Sequence, residues 1–92
     1  MLDSSLSPNS LPGHVFRHFK GNYYYVESIA YHSETDEPLV IYRPLYADAI
    51  HPLFARPLSM FLESIPEDRE GNITHQSTRF TLAESLSKDY LL

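Results

Sequence analysis

Histidines are the residues of this chain best suited to metal binding or acid–base chemistry. His14 and His18 have the spacing of neighbours on one face of a helix. On a strand, the same spacing separates them by roughly 13 Å, which is too far for them to share one ion. His32 and Glu34 could meet at the end of a strand, but no third ligand lies close in the sequence. The sequence therefore predicts no metal site and no cofactor, and it leaves a small metal-dependent or hydrolytic enzyme centred on His18 and His32 as an alternative.

Nucleophilic catalysis and phosphate-loop chemistry have little support. His32 and Ser33 are adjacent, so on a strand they point to opposite faces and cannot form a nucleophile–base pair. The chain has three glycines, and they do not form a glycine-rich phosphate loop. The polar residues 33–36 predict a turn that is capped by its own side chains.

Basic and aromatic side chains form the second group with chemical potential. In a small β domain such residues can gather on one surface, where they grip a peptide, a carboxylate or a phosphate. The alternative is structural, because arginines on neighbouring strands can pair with glutamates. The predicted ligand-binding set is Arg17, His18, Tyr23, Arg43, Tyr46 and Arg56.

Arg56 is the most informative single position in that set. Its nearest acidic residue further along the chain is Glu63, and Pro57 restricts the backbone beside it. We expect the guanidinium to be held in place rather than to move freely in solvent. We also expect Arg43 and Arg56 to converge and form a fork for an anion.

The elements that must position these residues are short strands. Alternating apolar residues and turn signals such as Gly21-Asn22 predict a mainly β fold. Pro57 suits the first position of a helix. The predicted strands cover 14–20, 23–32, 39–46 and 53–57, followed by a helical turn over 58–62 and a short strand over 62–65. This pattern is typical of a small SH3-like bent β-barrel or roll.

The two ends of the chain differ from the middle. Ser, Pro and Asn dominate residues 1–12, which predicts a flexible N-terminal arm. Thr81 and Glu84 have the spacing of a capping box, which predicts a helix over 82–91. The predicted organisation is the arm, an SH3-like β domain over 13–66, and a linker with a possible C-terminal helix over 67–92.

Composition narrows the class of protein. The chain has 92 residues, which is enough for one domain. Its net charge is −5, which argues against a uniformly basic surface that binds nucleic acid. It contains no cysteine, so a reducing, cytoplasmic compartment is expected. The N-terminus resembles no signal peptide, and no apolar run is long enough to span a membrane.

Several spaced motifs together resemble a known family. The run Arg17–Gly21, the residues His32–Thr35 and the segment Arg56-Pro57-Leu58 occur in order over about residues 14–65. They resemble the small bacterial DUF1653 domain, and the resemblance implies an SH3-like β roll without implying an activity. That family often has a tryptophan just before the Arg-Pro pair, where this chain has 53–55 as Leu-Phe-Ala.

The leading functional hypothesis is a non-enzymatic binding module. Its partner is expected to be a peptide or protein first, and a small anionic ligand, a nucleotide or a short single strand, second. A structural homodimer, joined through a strand edge or the C-terminal apolar stripe, is a further alternative. Nucleic acid is disfavoured by the charge, and no membrane partner is expected.

Overall fold

Six short elements form the described part of the chain, residues 10–83 of a computed structural model. The predicted strands over 14–20, 23–32, 39–46 and 53–57 are confirmed with shorter bounds, as is the helical turn that follows them. The last strand was not predicted. The elements are β1 (Val15–His18), β2 (Tyr23–Tyr31), β3 (Pro38–Pro44), β4 (Phe54–Pro57), α1 (Leu58–Phe61) and β5 (Phe80–Leu82).

The five strands make one antiparallel sheet in the order β4-β3-β2-β1-β5. The first four strands are neighbours along the chain, and β5 returns to pair with the free side of β1. The mainly β prediction is therefore confirmed. The predicted closed barrel is not observed, because β4 and β5 remain the two edges of an open sheet among residues 10–83.

A bulge in β2 changes which side chains face the core. Val26 pairs with Tyr42 and Ser28 pairs with Ile41, so Glu27 has no partner in the ladder. Val26 is fully buried, and Ile29 packs against the core three residues later. In a strand with strict alternation Ile29 would lie on the opposite face from Val26, and the extra residue at the bulge brings both to the same face.

The core lies under the sheet and is rich in aromatic rings. The Phe61 ring stacks on Phe80 at 4.1 Å between centroids and meets Phe16 edge-on at 5.2 Å. The helical turn α1 therefore delivers its one buried residue to the strand that returns last. The buried cluster consists of Leu11, Phe16, Val26, Val40, Tyr42, Phe61 and Phe80.

The N-terminal boundary differs from the prediction. Leu11 was placed in the flexible arm, yet its side chain is fully buried. The N–H of Gly13 donates to the Val26 carbonyl at 2.8 Å, which fixes the chain just before β1. The folded domain thus begins earlier than residue 13, because an isolated leucine without periodicity can still fill a core position. Residues 1–9 lie outside the described residues.

The C-terminal part also differs from the predicted linker. Ser64 forms an isolated bridge with Thr78, and residues 66–76 form an ordered loop around the buried side chain of Asn72. Leu82, expected to begin a helix, ends β5, and the Ala83 N–H continues the pairing to the Val15 carbonyl at 2.8 Å. The remainder of that predicted helix, from residue 84, lies outside the described residues. No helix in the described range has the length and apolar character needed to cross a membrane.

Candidate functional site

A pocket of about 110 Å³ opens on the sheet, and each of the five strands contributes to its wall. About 10–15 Å³ of such volume is enough for one water molecule. The pocket is therefore large enough for several waters or for one carboxylate or phosphate group. It is lined by His18, Tyr24, Tyr42, Phe54, Arg56 and Phe80.

Aromatic rings make the walls of the pocket rigid. Tyr42 meets Tyr24 edge-on at 5.5 Å, meets Phe80 edge-on at 5.4 Å, and lies 5.7 Å from Phe54 in a tilted arrangement. Tyr24 and Phe80 also meet edge-on, at 5.7 Å. Such edge-to-face contacts are favourable for aromatic pairs. A group that enters the pocket therefore meets walls that are already in place.

Arg56 supplies the positive charge of the pocket. Its Nε donates a hydrogen bond to the Tyr42 hydroxyl at 3.1 Å, and its guanidinium carbon lies 5.7 Å from the centre of the Phe80 ring. No carboxylate among residues 10–83 lies within 4.0 Å of it. The terminal N–H groups therefore remain suited to an anion from outside. Since the Tyr42 oxygen accepts from Arg56, its own proton can point to a ligand.

His18 is a neutral hydrogen-bond donor at physiological pH. Its Nδ1 accepts the backbone N–H of Lys20 at 3.1 Å, so the proton of the neutral ring is assigned to Nε2. Burial, together with the smaller effects of the positive charges on Arg56, Arg79, Lys20 and Arg69, lowers the pKa of His18 to about 4. The ring lies between Phe19 and Phe80, and a positive charge on it is unfavourable.

Tyr24 also remains protonated. Burial raises its pKa to about 12, and a hydrogen bond with Tyr46 acts in the same direction. The two rings meet edge-on at 5.9 Å, which places Tyr46 beside the pocket wall. The polar groups of the pocket are thus a guanidinium, an imidazole N–H and phenol hydroxyls. The guanidinium, the imidazole and the Tyr42 hydroxyl can donate hydrogen bonds to a ligand, whereas Tyr24 already donates to Tyr46. No acidic side chain of the described residues lines the pocket.

The structure brings together only part of the predicted ligand-binding set. His18 and Arg56 line the pocket, and Tyr46 contacts it through Tyr24. Arg17 donates from Nε to the Gly21 carbonyl at 3.2 Å and lies 5.2 Å over the Tyr23 ring. Neither Arg17 nor Tyr23 lines the pocket.

The expected convergence of Arg43 and Arg56 does not occur. Arg43 forms an ion pair with Glu27 and lies 4.7 Å over the Tyr25 ring. Arg43 follows Tyr42 in β3, and consecutive residues of a strand point to opposite faces. Arg56 shares the face of Tyr42, so the two arginines lie on opposite sides of the sheet. Arg43 follows the structural alternative of cross-strand pairing with a glutamate.

His18 and His32 lie far apart, so the structure does not form the site that an enzyme centred on both histidines would need. His18 lies beside the start of β2, and His32 follows the end of this nine-residue strand. Roughly 30 Å of extended strand therefore separates them, at about 3.3 Å per residue. His32 accepts the backbone N–H of Glu34 at 3.1 Å and helps to cap the turn before β3. Within residues 10–83, no three His, Asp or Glu side chains form a group able to hold a metal.

Sequence reasoning missed the pocket walls. Tyr24 and Tyr42 were not in the predicted set, although both line the pocket and Tyr42 is also buried in the core. Phe54 and Phe80 were not named as site residues. For Phe54 a signal existed, because it lies in the segment where the family often carries a tryptophan. For Phe80 there was none, because its strand was not predicted.

Comparisons with known proteins agree with this structure. The model of the family described as "Protein of unknown function (DUF1653)" matches residues 14–82. The chain belongs to this family. A crystal structure of a DUF1653 protein from Bordetella bronchiseptica is similar, with 29% sequence identity and a TM-score of 0.68. The similarity covers 85% of this chain and 94% of that one. No curated protein matches the chain significantly. The DUF1653 match includes β5, so the strand that closes the pocket belongs to the family's domain.

Proposed function

We propose that this DUF1653 domain is a non-enzymatic binding module that receives an anionic group of its ligand in the pocket around His18 and Arg56. The observation that carries the proposal is Arg56. Its guanidinium is fixed by Tyr42 and Phe80 at the pocket, and no carboxylate of the described residues neutralises it. A positioned arginine without a countercharge favours an anion from outside.

The surrounding groups favour a carboxylate or a phosphate. The Nε2 proton of His18 and the hydroxyl of Tyr42 are donors, and an oxyanion accepts several hydrogen bonds at once. Catalysis has less support, because a general base needs an acceptor atom facing the substrate. His18 uses its Nδ1 to accept the Lys20 N–H, and its assigned tautomer has no free acceptor nitrogen.

We also propose that the fold is an SH3-like roll. Five antiparallel strands, with a helical turn after the fourth and a fifth strand beside the first, support this. The lack of cysteine supports a cytoplasmic location. Neither the type of fold nor the location depends on what binds in the pocket.

Titration with inorganic phosphate and with acetate, followed through the ring signals of His18 by NMR, tests the pocket. We expect either anion to shift these signals, and Arg56→Gln to weaken the binding at least tenfold. Arg43→Gln is the matched control, because it removes an arginine from the other face of the same sheet. We expect it to change the affinity less than twofold.

Two results would contradict the role of Arg56 in binding. If Arg56→Gln binds both anions as the wild type does, Arg56 does not provide the site. If it lowers the melting temperature by more than about 12 °C, the arginine has a structural role. The loss of one hydrogen bond, about 0.5–1.5 kcal/mol, accounts for a shift of only about 2–12 °C in a domain of this size.

A further inference from the structure

A second group of cations surrounds the ring of Phe19, which stacks on His18. Three side chains approach the Phe19 ring: the guanidinium carbon of Arg69 at 4.8 Å, that of Arg79 at 5.9 Å, and Nζ of Lys20 at 6.0 Å. Three cations around one ring repel one another unless negative charge offsets them. Their gathering is notable in a chain whose net charge is −5.

Two of these three cations have no negative partner among residues 10–83. Arg79 pairs with Glu63 at 2.9 Å, and its side chain is only 13% exposed. Lys20 and Arg69 are exposed, and within the described range no carboxylate lies within 4.0 Å of either one. Lys20 and Arg69 are therefore accessible to an external anion, whereas Arg79 is part of the framework.

A row of rings connects the two groups of cations. Phe19 stacks on His18 at 4.4 Å, His18 meets Phe80 at 4.9 Å, and Arg56 lies 5.7 Å from Phe80. Because every step is short, the two cationic groups are no farther apart than about six extended peptide residues at about 3.3 Å each. One ligand can therefore reach both.

We propose that Lys20 and Arg69 form a second anion subsite next to the pocket, and that the partner is an acidic peptide segment whose negative groups occupy both places. This inference rests on the proposed function, since the first negative group enters the Arg56 pocket. Electrostatic complementarity of this kind steers a partner and fixes its register.

One observation favours a peptide over a nucleic acid. Ile73 is 67% exposed beside this subsite, and its N–H donates to the Phe19 carbonyl at 3.1 Å. An exposed aliphatic side chain next to cations fits a peptide that alternates acidic and apolar residues.

The test uses the full chain and a fluorescein-labelled ten-residue peptide that alternates Glu and Leu. Binding is measured by fluorescence anisotropy, with the Gln-for-Glu peptide and a ten-nucleotide oligo(dT) as competitors. We expect the double variant Lys20→Gln with Arg69→Gln to bind the acidic peptide about five- to tenfold more weakly. Its affinity for inorganic phosphate in the pocket should stay within twofold of the wild type. Arg43→Gln is again the matched control.

Each outcome separates this inference from the proposed function. If the double variant binds the acidic peptide as tightly as the wild type while phosphate still binds, the second subsite is refuted and the pocket stands. If oligo(dT) displaces the acidic peptide at lower concentration than unlabelled peptide does, the assignment to a peptide is refuted. If phosphate binds neither the wild type nor the double variant, the proposed function itself fails.

Discussion

Replacing Asn72 with aspartate should destabilise the fold far more than the similar shape of the two side chains suggests. Asn72 is only 6% exposed, and its Nδ2 donates to the carbonyls of Pro66, Glu67 and Gln76 at 3.1, 3.3 and 3.0 Å. Its Oδ1 accepts the N–H of Gln76 at 3.1 Å and the hydroxyl of Thr74 at 3.4 Å. Aspartate can still accept the two hydrogen bonds of Oδ1. In place of the Nδ2 donor, however, it puts an oxygen that faces three carbonyl oxygens.

The size of the effect follows from the hydrogen bonds lost and the charge gained. Each buried hydrogen bond contributes about 0.5–1.5 kcal/mol, and unpaired carbonyls add a desolvation cost. Asn72→Ala should therefore lower the free energy of unfolding by about 2–3 kcal/mol. Asn72→Asp should lower it by about 3–4 kcal/mol at pH 7, because the carboxylate is also buried without a positive partner.

Urea unfolding at pH 7 and pH 4 tests this reasoning, with tyrosine fluorescence as the signal, since the chain has no tryptophan. At pH 4 the introduced carboxyl group should be largely protonated, because burial disfavours its charged form, and its O–H can donate to one carbonyl. The gap between the aspartate and alanine variants should then close. If Asn72→Asp unfolds within about 1 kcal/mol of the wild type at pH 7, or if the gap does not depend on pH, the account of this loop is wrong.

Three further perturbations test other parts of the molecule. The pKa of His18 is about 4 when folded, so the unfolded chain binds the proton more readily, and the free energy of unfolding should fall as the pH drops from about 6.5 to about 4. Because the ring is half-exposed, the loss is limited to about 1–2 kcal/mol. When the free energy of unfolding is measured against pH, His18→Gln should show no such loss, and the control His51→Gln should show the same loss as the wild type. Gly21→Ala and Gly13→Ala both place an alanine at a positive φ, but only at Gly21 does the new Cβ lie 3.0 Å from a neighbouring side chain. Calorimetry should therefore show a lower melting temperature for Gly21→Ala than for Gly13→Ala. Equal melting temperatures would contradict the effect of this contact. Phe61→Ala should cost about 3–5 kcal/mol in chemical unfolding, and a loss under about 1 kcal/mol would show that the ring stack is unimportant.

The sequence predicts the first four strands because their signals are local. Gly21 takes a φ of +111°, as a tight turn before β2 requires, and alternating residues define the strands around it. The bulge at Glu27 could not be predicted, since it depends on how β2 pairs with β3. The last strand was missed for a similar reason. Thr81 suggested a helix cap locally, but pairing of this segment with β1 decides its conformation.

The candidate site was predictable where charge stands out in the sequence. His18 and Arg56 were both named, and Arg56 was singled out because no acidic residue is near it in the chain. For Arg43 the structural alternative holds, in which an arginine pairs with a glutamate on a neighbouring strand. Its partner Glu27 lies 16 positions away in the chain and reaches it through strand pairing. The walls could not be distinguished from the core, because Tyr42 belongs to both.

The bulge in β2 has a consequence for how this domain tolerates changes in length. Tyr24 and Val26 face the core before Glu27, and Ile29 faces it afterwards. Removing Glu27 would leave a regular strand in which all three still point inwards, whereas a one-residue deletion in a regular strand turns every later side chain to the wrong face. The loss would be confined to the ion pair with Arg43 and the local twist. Homologous chains one residue shorter at this point can therefore keep the same core.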